Sequence, residues 1–342
     1  MHPARIAAST ESAYVVTMRK VLAGLALPAA VFALLAACSS SSSTAPGAPE
    51  ADASTFDGSS QGGGDAAATK DSGPDASGVI GGSRPVGVHV PPGYAPGTPT
   101  PLVILLHGYS ATSVAEDGYL GITALSDKKG FLYVHPEGTL DSMNNQFWNA
   151  TDACCNFQPP FVDDSTYLSD LIDQVSAHYT VDPKRVFFIG HSNGGFMSYR
   201  MACDHGDKIA AIVSLAGAMW QDISKCPAKT PVSILEVHGT GDATIAFTGG
   251  ANLGHTYPSA TTTVADWTTF NGCSTVADTS APNLDLDTAT FGAETTVTRF
   301  ATGCKSGTAT ELWTIPGGIH IPAFTSDFAP AAIDFLYAHP KP

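Results

Sequence analysis

Short runs of consecutive apolar residues alternate along the chain with longer segments in which apolar residues return every third or fourth position. The runs at 102–106, 131–134, 186–189, 210–215 and 232–237 are rich in Val, Ile, Leu and Phe, the composition of strands buried on both faces. Weaker strands are predicted at 86–90, ending at Pro91-Pro92-Gly93, at 295–300 and at 311–315. Helical spacing predicts α-helices at 119–129, 193–203, 262–270 and 328–337. A further helix holds Tyr167, Leu168, Leu171, Ile172, Val175 and Tyr179, with Asp163 or Asp164 as its N-cap. Strands alternating with helices indicate an α/β domain, a mostly parallel sheet with helices on both faces, whose ligands lie beyond the strands' C-terminal ends.

Ahead of this domain the pattern changes twice. A basic Met18-Arg19-Lys20, an apolar stretch at 21–37 containing Pro28, and the ending Leu35-Ala36-Ala37-Cys38 read as an export signal over residues 1–38, with Met18 as the expected true start. The ending resembles a bacterial lipobox, which would make Cys38 the lipidated first residue of the mature chain. A transmembrane anchor is the alternative, for which the stretch is short. Residues 39–83 are built from Ser, Gly, Ala, Asp and Pro and bury too little to offset their ordering entropy, so a flexible tether is expected. Residues 84–342 suit one domain with a full core.

The formal net charge is −15 with 16 Lys+Arg and no basic stripe, which argues against a nucleic-acid partner. Setting Cys38 aside leaves six cysteines: Cys154, Cys155, Cys203, Cys226, Cys273 and Cys304. In an exported chain an even set suggests disulfides. Cys273 with Cys304 is the first pairing favoured, Cys203 with Cys226 the second, and Cys154–Cys155 a candidate vicinal bridge. Spacing alone leaves connectivity open, free buried thiols included.

Candidate chemistry centres on Val186-Phe187-Phe188-Ile189-Gly190-His191-Ser192-Asn193-Gly194-Gly195. It reads as a buried strand, a sharp turn and a helix, the setting of a Gly-x-Ser-x-Gly nucleophile elbow. Gly58-Ser59-Ser60-Gln61-Gly62 matches the same pattern but lies in the low-complexity tract, with no strand before it and no helix after it. A serine nucleophile needs a histidine to take its proton and a carboxylate to hold that histidine's tautomer. In strand–turn–helix sites of this kind the order along the chain is Ser, acid, His. Asp242 follows the strand at 232–237 in His238-Gly239-Thr240-Gly241-Asp242, although a plain turn aspartate is the alternative. Of the later histidines, His255 lies in a Gly-rich insertion and His339 in the terminal tail. His320, in Pro316-Gly317-Gly318-Ile319-His320, falls between the last strand and the last helix, where the base is expected. Backbone N–H groups of Asn193 and of Tyr109, in His107-Gly108-Tyr109, are the oxyanion-hole candidates, and His107 reads as a structural residue beneath that loop.

His107-Gly108-Tyr109, Trp148-Asn149-Ala150, Cys154-Cys155, Val162-Asp163-Asp164, Gly190-His191-Ser192-Asn193-Gly194-Gly195, His238-Gly239-Thr240-Gly241-Asp242 and Gly318-Ile319-His320 occur in one order. The ordered set, from about Arg84 to the C-terminus, resembles the esterase family that groups polyhydroxybutyrate depolymerases with feruloyl and acetylxylan esterases. The resemblance implies an α/β-hydrolase fold, secretion, metal-free serine esterase chemistry with no cofactor, and a triad of Ser192, Asp242 and His320. Two stretches depart from the family: Ile321-Pro322-Ala323-Phe324, where many relatives carry a Trp after the catalytic His, and residues 249–257. Both put substrate identity in doubt. Trp148 and Trp220 are candidate stacking walls for an aromatic or polymeric ester, with core packing an equal alternative. Asp163 and Asp164 read as helix caps rather than a metal site. Asn149-Ala150-Thr151 fits the N-glycosylation pattern, which a lipobox-bearing chain makes accidental. The resulting expectation is a monomeric, membrane-tethered carboxylic-ester hydrolase acting on feruloyl or acetyl esters of plant polysaccharide. A polyhydroxyalkanoate polyester is the second substrate. A serine peptidase of the same fold and a surface binding module with a dead triad are the more distant alternatives.

Overall fold

The computed structural model describes residues 79–342; the expected export signal, Cys38 and most of the expected tether lie outside them. Seven strands form the main sheet: β1 Thr100–Leu106, β2 Leu132–Val134, β3 Val181–His191, β4 Ala211–Leu215, β5 Ser233–Gly239, β6 Thr296–Phe300 and β7 Thr310–Ile315. They lie in the order β6-β7-β5-β4-β3-β1-β2. Every neighbouring pair is parallel except β6 with β7. The helices are α1 Ser113–Leu120, α2 Ile122–Lys129, α3 Asp164–His178, α4 Asn193–Asp204, α5 Ala260–Phe270 and α6 Phe328–Ala338.

The period of two along each strand divides the core into two layers. Leu102, Ile104 and Leu106 of β1 face one layer, together with Leu168, Leu171 and Val175 of α3, Phe196 and Met197 of α4 and Trp267 of α5. Val103 and Leu105 face the other, with Leu120, Ile122 and Leu125 of α1 and α2 and Phe328, Ile333 and Leu336 of α6. All seven residues of β1 are buried, so neither face of the sheet is left to solvent there. α3 is capped by Asp163, which accepts from the Thr166 N–H at 3.0 Å. The neighbouring Asp164 instead accepts from the Asn149 N–H at 2.7 Å and pairs with Arg84 at 2.7 Å.

Three expectations need correction. The strand at 86–90 pairs only through Val86–Gly87, against Val79–Ile80. Beyond it His89 makes a single two-bond bridge to Tyr133, and Pro91-Pro92 has no N–H with which to continue a ladder. The folded unit therefore starts before residue 84: Ile80 is buried in the core, and the Gly81 N–H bonds to Gln174 at 2.8 Å. The single helix at 119–129 is two helices. Gly121 adopts φ +67°, closes α1 with its N–H on the Asp117 carbonyl, and opens α2. The first of them, α1, begins earlier because Thr112 caps it.

Disulfides join Cys154 to Cys155, Cys203 to Cys226 and Cys273 to Cys304. The second ties the last turn of α4 to the short 3₁₀ turn Ile223–Lys225. Its 23-residue separation corresponds to about 3 kcal/mol of lost unfolded-state freedom. Replacing Cys203 and Cys226 together by Ser is expected to lower stability by about that amount. Urea unfolding of the oxidised proteins measures it, and an unchanged midpoint contradicts it.

Candidate active site

β3 ends at His191 and α4 begins at Asn193, so Ser192 alone makes the reversal. Its φ of 53° and ψ of −118° are a conformation that L-residues avoid. The bend is pinned on both sides: the Ser192 N–H donates to Leu215 O at 2.7 Å, and Ser192 O accepts from the Phe196 N–H at 3.0 Å. Strand and helix nearly touch there. A Cβ on Gly190 would lie 2.1 Å from Gly194 O, and one on Gly194 would lie 2.0 Å from Leu106 O. Those two contacts are the physical content of the Gly-x-Ser-x-Gly pattern.

Ser192, Asp242 and His320, carried by three separate connections, come together at the C-terminal end of the sheet. His320 Nε2 lies 2.9 Å from Ser192 Oγ, and His320 Nδ1 lies 2.7 Å from Asp242 Oδ2. The Asp242 carboxylate fixes the proton on Nδ1, which leaves Nε2 free to accept from the serine hydroxyl. Asp242 Oδ1 accepts the N–H groups of Thr244 and Ile245 at 2.8 and 2.9 Å. Burial resists ionisation of Asp242, but hydrogen bonds from His238 and His320 outweigh it and hold the carboxyl below the usual range. The acid and base loops are tied to each other: the Gly241 N–H donates to Gly318 O at 2.9 Å, and the Gly317 N–H to Thr240 Oγ1 at 2.7 Å.

The loop after β1 supplies the facing side. Glu116 Oε2 occupies the Gly108 N–H at 3.1 Å, whereas neither the Tyr109 nor the Asn193 N–H is engaged by another group among the described residues. The Asn193 side chain is locked by a reciprocal pair of bonds with the Trp148 backbone, at 2.7 and 2.9 Å. His107 is fully buried. Its Nδ1 donates to Gly108 O at 2.8 Å and its Nε2 accepts from the Gly138 N–H at 2.9 Å. Burial pushes its pKa down, so it is a neutral brace under the loop.

The two tryptophans part company. Trp148 is 0% exposed; its Nε1–H donates to His107 O at 3.1 Å and its ring packs on His107 at 5.1 Å. It is a packing residue and not a wall that a ligand can reach, because it is wholly buried with His107 and Arg84 against its ring. Trp220 lines a cavity of about 480 Å³ with Asn149, Phe157, Arg200 and His255. A second cleft of about 460 Å³, lined by Tyr109, Leu140, Met143, Phe147, Phe157 and Leu253, runs beside the candidate oxyanion loop. Leu140, Met143 and Leu253 are more than half exposed there. His255 sits on the hairpin Gly250–Asn252/His255–Tyr257, and His339 caps the end of α6.

Sequence reasoning missed two buried acid–histidine pairs flanking the candidate triad. His191 Nε2 donates to His320 O at 3.0 Å while its Nδ1 stands 3.3 Å from Glu116. His238 Nδ1 meets Glu236 at 2.9 Å. The available signal was Glu236 itself, a lone charge inside the apolar run of β5.

Residues 95–275 match the phospholipase/carboxylesterase family. Feruloyl esterase B of Piromyces equi is 28% identical over 247 residues, which are 69% of this chain and 42% of that protein. Poly(3-hydroxyalkanoate) depolymerase C of Paucimonas lemoignei is 30% identical over 138 residues, 39% of this chain and 31% of that protein. The chain thus spans less than half the length of either. Among solved structures, an acetyl xylan esterase from Aspergillus awamori superposes with a TM-score of 0.54 at 16% identity, covering 74% of this chain and 93% of that one, a likeness of fold. The fold is the α/β-hydrolase fold expected from the order of motifs, and the chain belongs to the phospholipase/carboxylesterase family.

Proposed function

We propose that the protein is a serine carboxylic-ester hydrolase that works through an acyl-enzyme. The observation that carries this reading is His320 lying within hydrogen-bond reach of both Ser192 Oγ and Asp242. Ser192 Oγ attacks the ester carbonyl carbon as its proton passes to His320 Nε2. Asp242 stabilises the imidazolium that forms. The Tyr109 and Asn193 N–H groups receive the oxyanion, each worth about 3 kcal/mol to the transition state. Collapse breaks the carbon–oxygen bond to the alcohol, which leaves with the proton from His320. Water then attacks the acyl-enzyme with His320 again as base, and Ser192 is regenerated with release of the acid. The complete, mutually bonded triad supports an enzyme over an inert binding module.

For substrate, esters of plant polysaccharide with feruloyl or acetyl groups come first. Support comes from the feruloyl esterase relative and from the apolar cleft beside Tyr109, whose Leu140, Met143 and Leu253 surface suits an aromatic acyl group. A polyhydroxyalkanoate polyester is the second reading, favoured by the depolymerase relative. The basic, apolar and small-residue pattern ending at Cys38 supports export with a lipid tether.

Ser192→Ala is expected to lower p-nitrophenyl ester hydrolysis by about five to six orders of magnitude while leaving the far-UV circular dichroism unchanged; hydrolysis at a near-native rate ends the assignment. Asp242→Asn keeps the size of the side chain but lets His320 adopt the wrong tautomer, and a fall in kcat of about three to four orders of magnitude is expected. Assays of ferulate released from arabinoxylan against 3-hydroxybutyrate released from polymer film separate the substrates. Faster release of 3-hydroxybutyrate reverses their order.

A further inference from the structure

Behind the triad carboxylate a buried chain of polar groups runs on, away from the substrate side. Tyr199 of α4 donates its hydroxyl to Glu236 Oε2 at 2.9 Å, and Glu236 Oε1 meets His238 Nδ1 at 2.9 Å. His238 Nε2 lies 2.8 Å from Ile245 O and 3.4 Å from Asp242 Oδ2. Tyr199, Glu236 and His238 are all at most 1% exposed. None of them touches the reacting atoms in the mechanism above.

Hydrogen-bond chemistry fixes the protons. A carbonyl oxygen only accepts, so His238 Nε2 carries a hydrogen for Ile245 O. Nδ1 faces a carboxylate oxygen at hydrogen-bond distance, so a second hydrogen lies between them. Tyr199 donates to the other oxygen of that carboxylate and thereby favours its ionised form. The pair is an imidazolium held against a carboxylate, and the imidazolium edge is turned toward the same Asp242 oxygen that His320 binds. The groups facing the pair from the neighbouring elements are Tyr199 of α4, then Asp242 and, beyond it, His320. The remaining neighbours are apolar or uncharged. Phe247 meets His238 edge-on at 5.6 Å, Trp267 of α5 stacks on Tyr199 at 6.2 Å, and Ser214 is opposite Glu236 on β4. Burial alone would strip His238 of its second proton, yet the bonds to Asp242 and Glu236 reverse that and raise it to about 10. Burial also pushes Glu236 up, against the hydrogen bonds from His238 and Tyr199.

We propose that His238, kept as an imidazolium by Glu236, is a positioning residue of the triad: it clamps the Asp242 carboxylate and holds a fixed positive charge beside it. The proposal rests on the esterase reading of Ser192, Asp242 and His320. With this cation in place Asp242 remains an acceptor throughout turnover, and His320 is less ready to take up a proton before the substrate arrives.

Glu236→Gln tests it, because glutamine keeps the shape and a hydrogen-bond donor for His238 Nδ1 but removes the charge that holds the second proton. In wild-type enzyme, 15N NMR of the His238 ring is expected to show both nitrogens protonated at about pH 7.5, and in Glu236→Gln one of them bare. The acid limb of kcat/KM, where His320 is protonated and stops serving as base, is expected to move up by about one pH unit in the variant. A packing role alone would lower activity or stability without moving that limb. A neutral His238 in the wild-type spectrum, or an acid limb that stays in place or moves down, overturns the proposal. Should Glu236→Gln not fold, the wild-type spectrum decides by itself. Near-native hydrolysis by Ser192→Ala would defeat the esterase reading and leave that spectrum unaffected, so the two failures are distinguishable.

Discussion

The tight approach of α4 to β1 at Gly194 and Leu106, where a Cβ on Gly194 would lie 2.0 Å from Leu106 O, sets the geometry of the proposed catalytic groups. One residue before Gly194 is Asn193, and three residues after Leu106 is Tyr109, the two candidate oxyanion donors. A methyl group in that contact would have to push helix and strand apart, since the three nearest neighbours of a Cβ there, Leu106 O, Leu106 C and His107 O, are main-chain atoms with no side-chain freedom to yield. The same displacement would part the two N–H groups and tilt Ser192, whose strained φ of 53° is pinned by its bonds to Leu215 and Phe196. Position of the proposed nucleophile and position of the candidate oxyanion donors are therefore one constraint, not two.

The proposed acid and base obey a second constraint of the same kind. Asp242 follows β5 and His320 follows β7, and these strands are parallel neighbours. Their C-terminal loops therefore emerge side by side and bind one another through Gly241–Gly318 and Gly317–Thr240. Sheet order thus brings together residues 78 positions apart with only the cost of two short loops. β4 stands between β3 and this pair, leaving room for His320 to reach across to Ser192.

Much of this was legible in the amino-acid order. Runs such as Leu102, Val103, Ile104, Leu105 and Leu106 are apolar at every position because both sheet faces are covered, and such strands announce themselves. The elbow and the Ser, acid, His order did so for a different reason: chemistry restricts them to strand ends. What escaped notice depends on burial or on local conformation. Gly121 sits within an apolar pattern at helical spacing, and nothing in the pattern distinguishes a tolerated helix glycine from one at φ +67° that splits the helix. Trp148 carries the same aromatic surface whether it lines a cleft or fills a core, and only its place between His107 and Arg84 decides. His238 was passed over because its motif was read for the aspartate four residues on.

Isolated buried charges are costly, and two acid–histidine pairs inside one site call for a reason beyond stability, since apolar residues of equal volume would stabilise the fold as well or better. Their placement supplies it. Glu116 reaches the Gly108 N–H with one oxygen and stands beside His191 with the other, while His191 holds the His320 carbonyl. One side chain of α1 thus links the oxyanion loop, the residue before the nucleophile and the base loop. By taking the Gly108 N–H it leaves Tyr109 as the next donor along that loop. Glu236 and His238 do the corresponding work on the carboxylate side. The proposed triad lies between two buried acid–histidine networks, one holding the His320 carbonyl and the other standing against the Asp242 carboxylate. That arrangement explains why α1, which buries little apolar surface of its own, keeps Glu116 at 3% exposure.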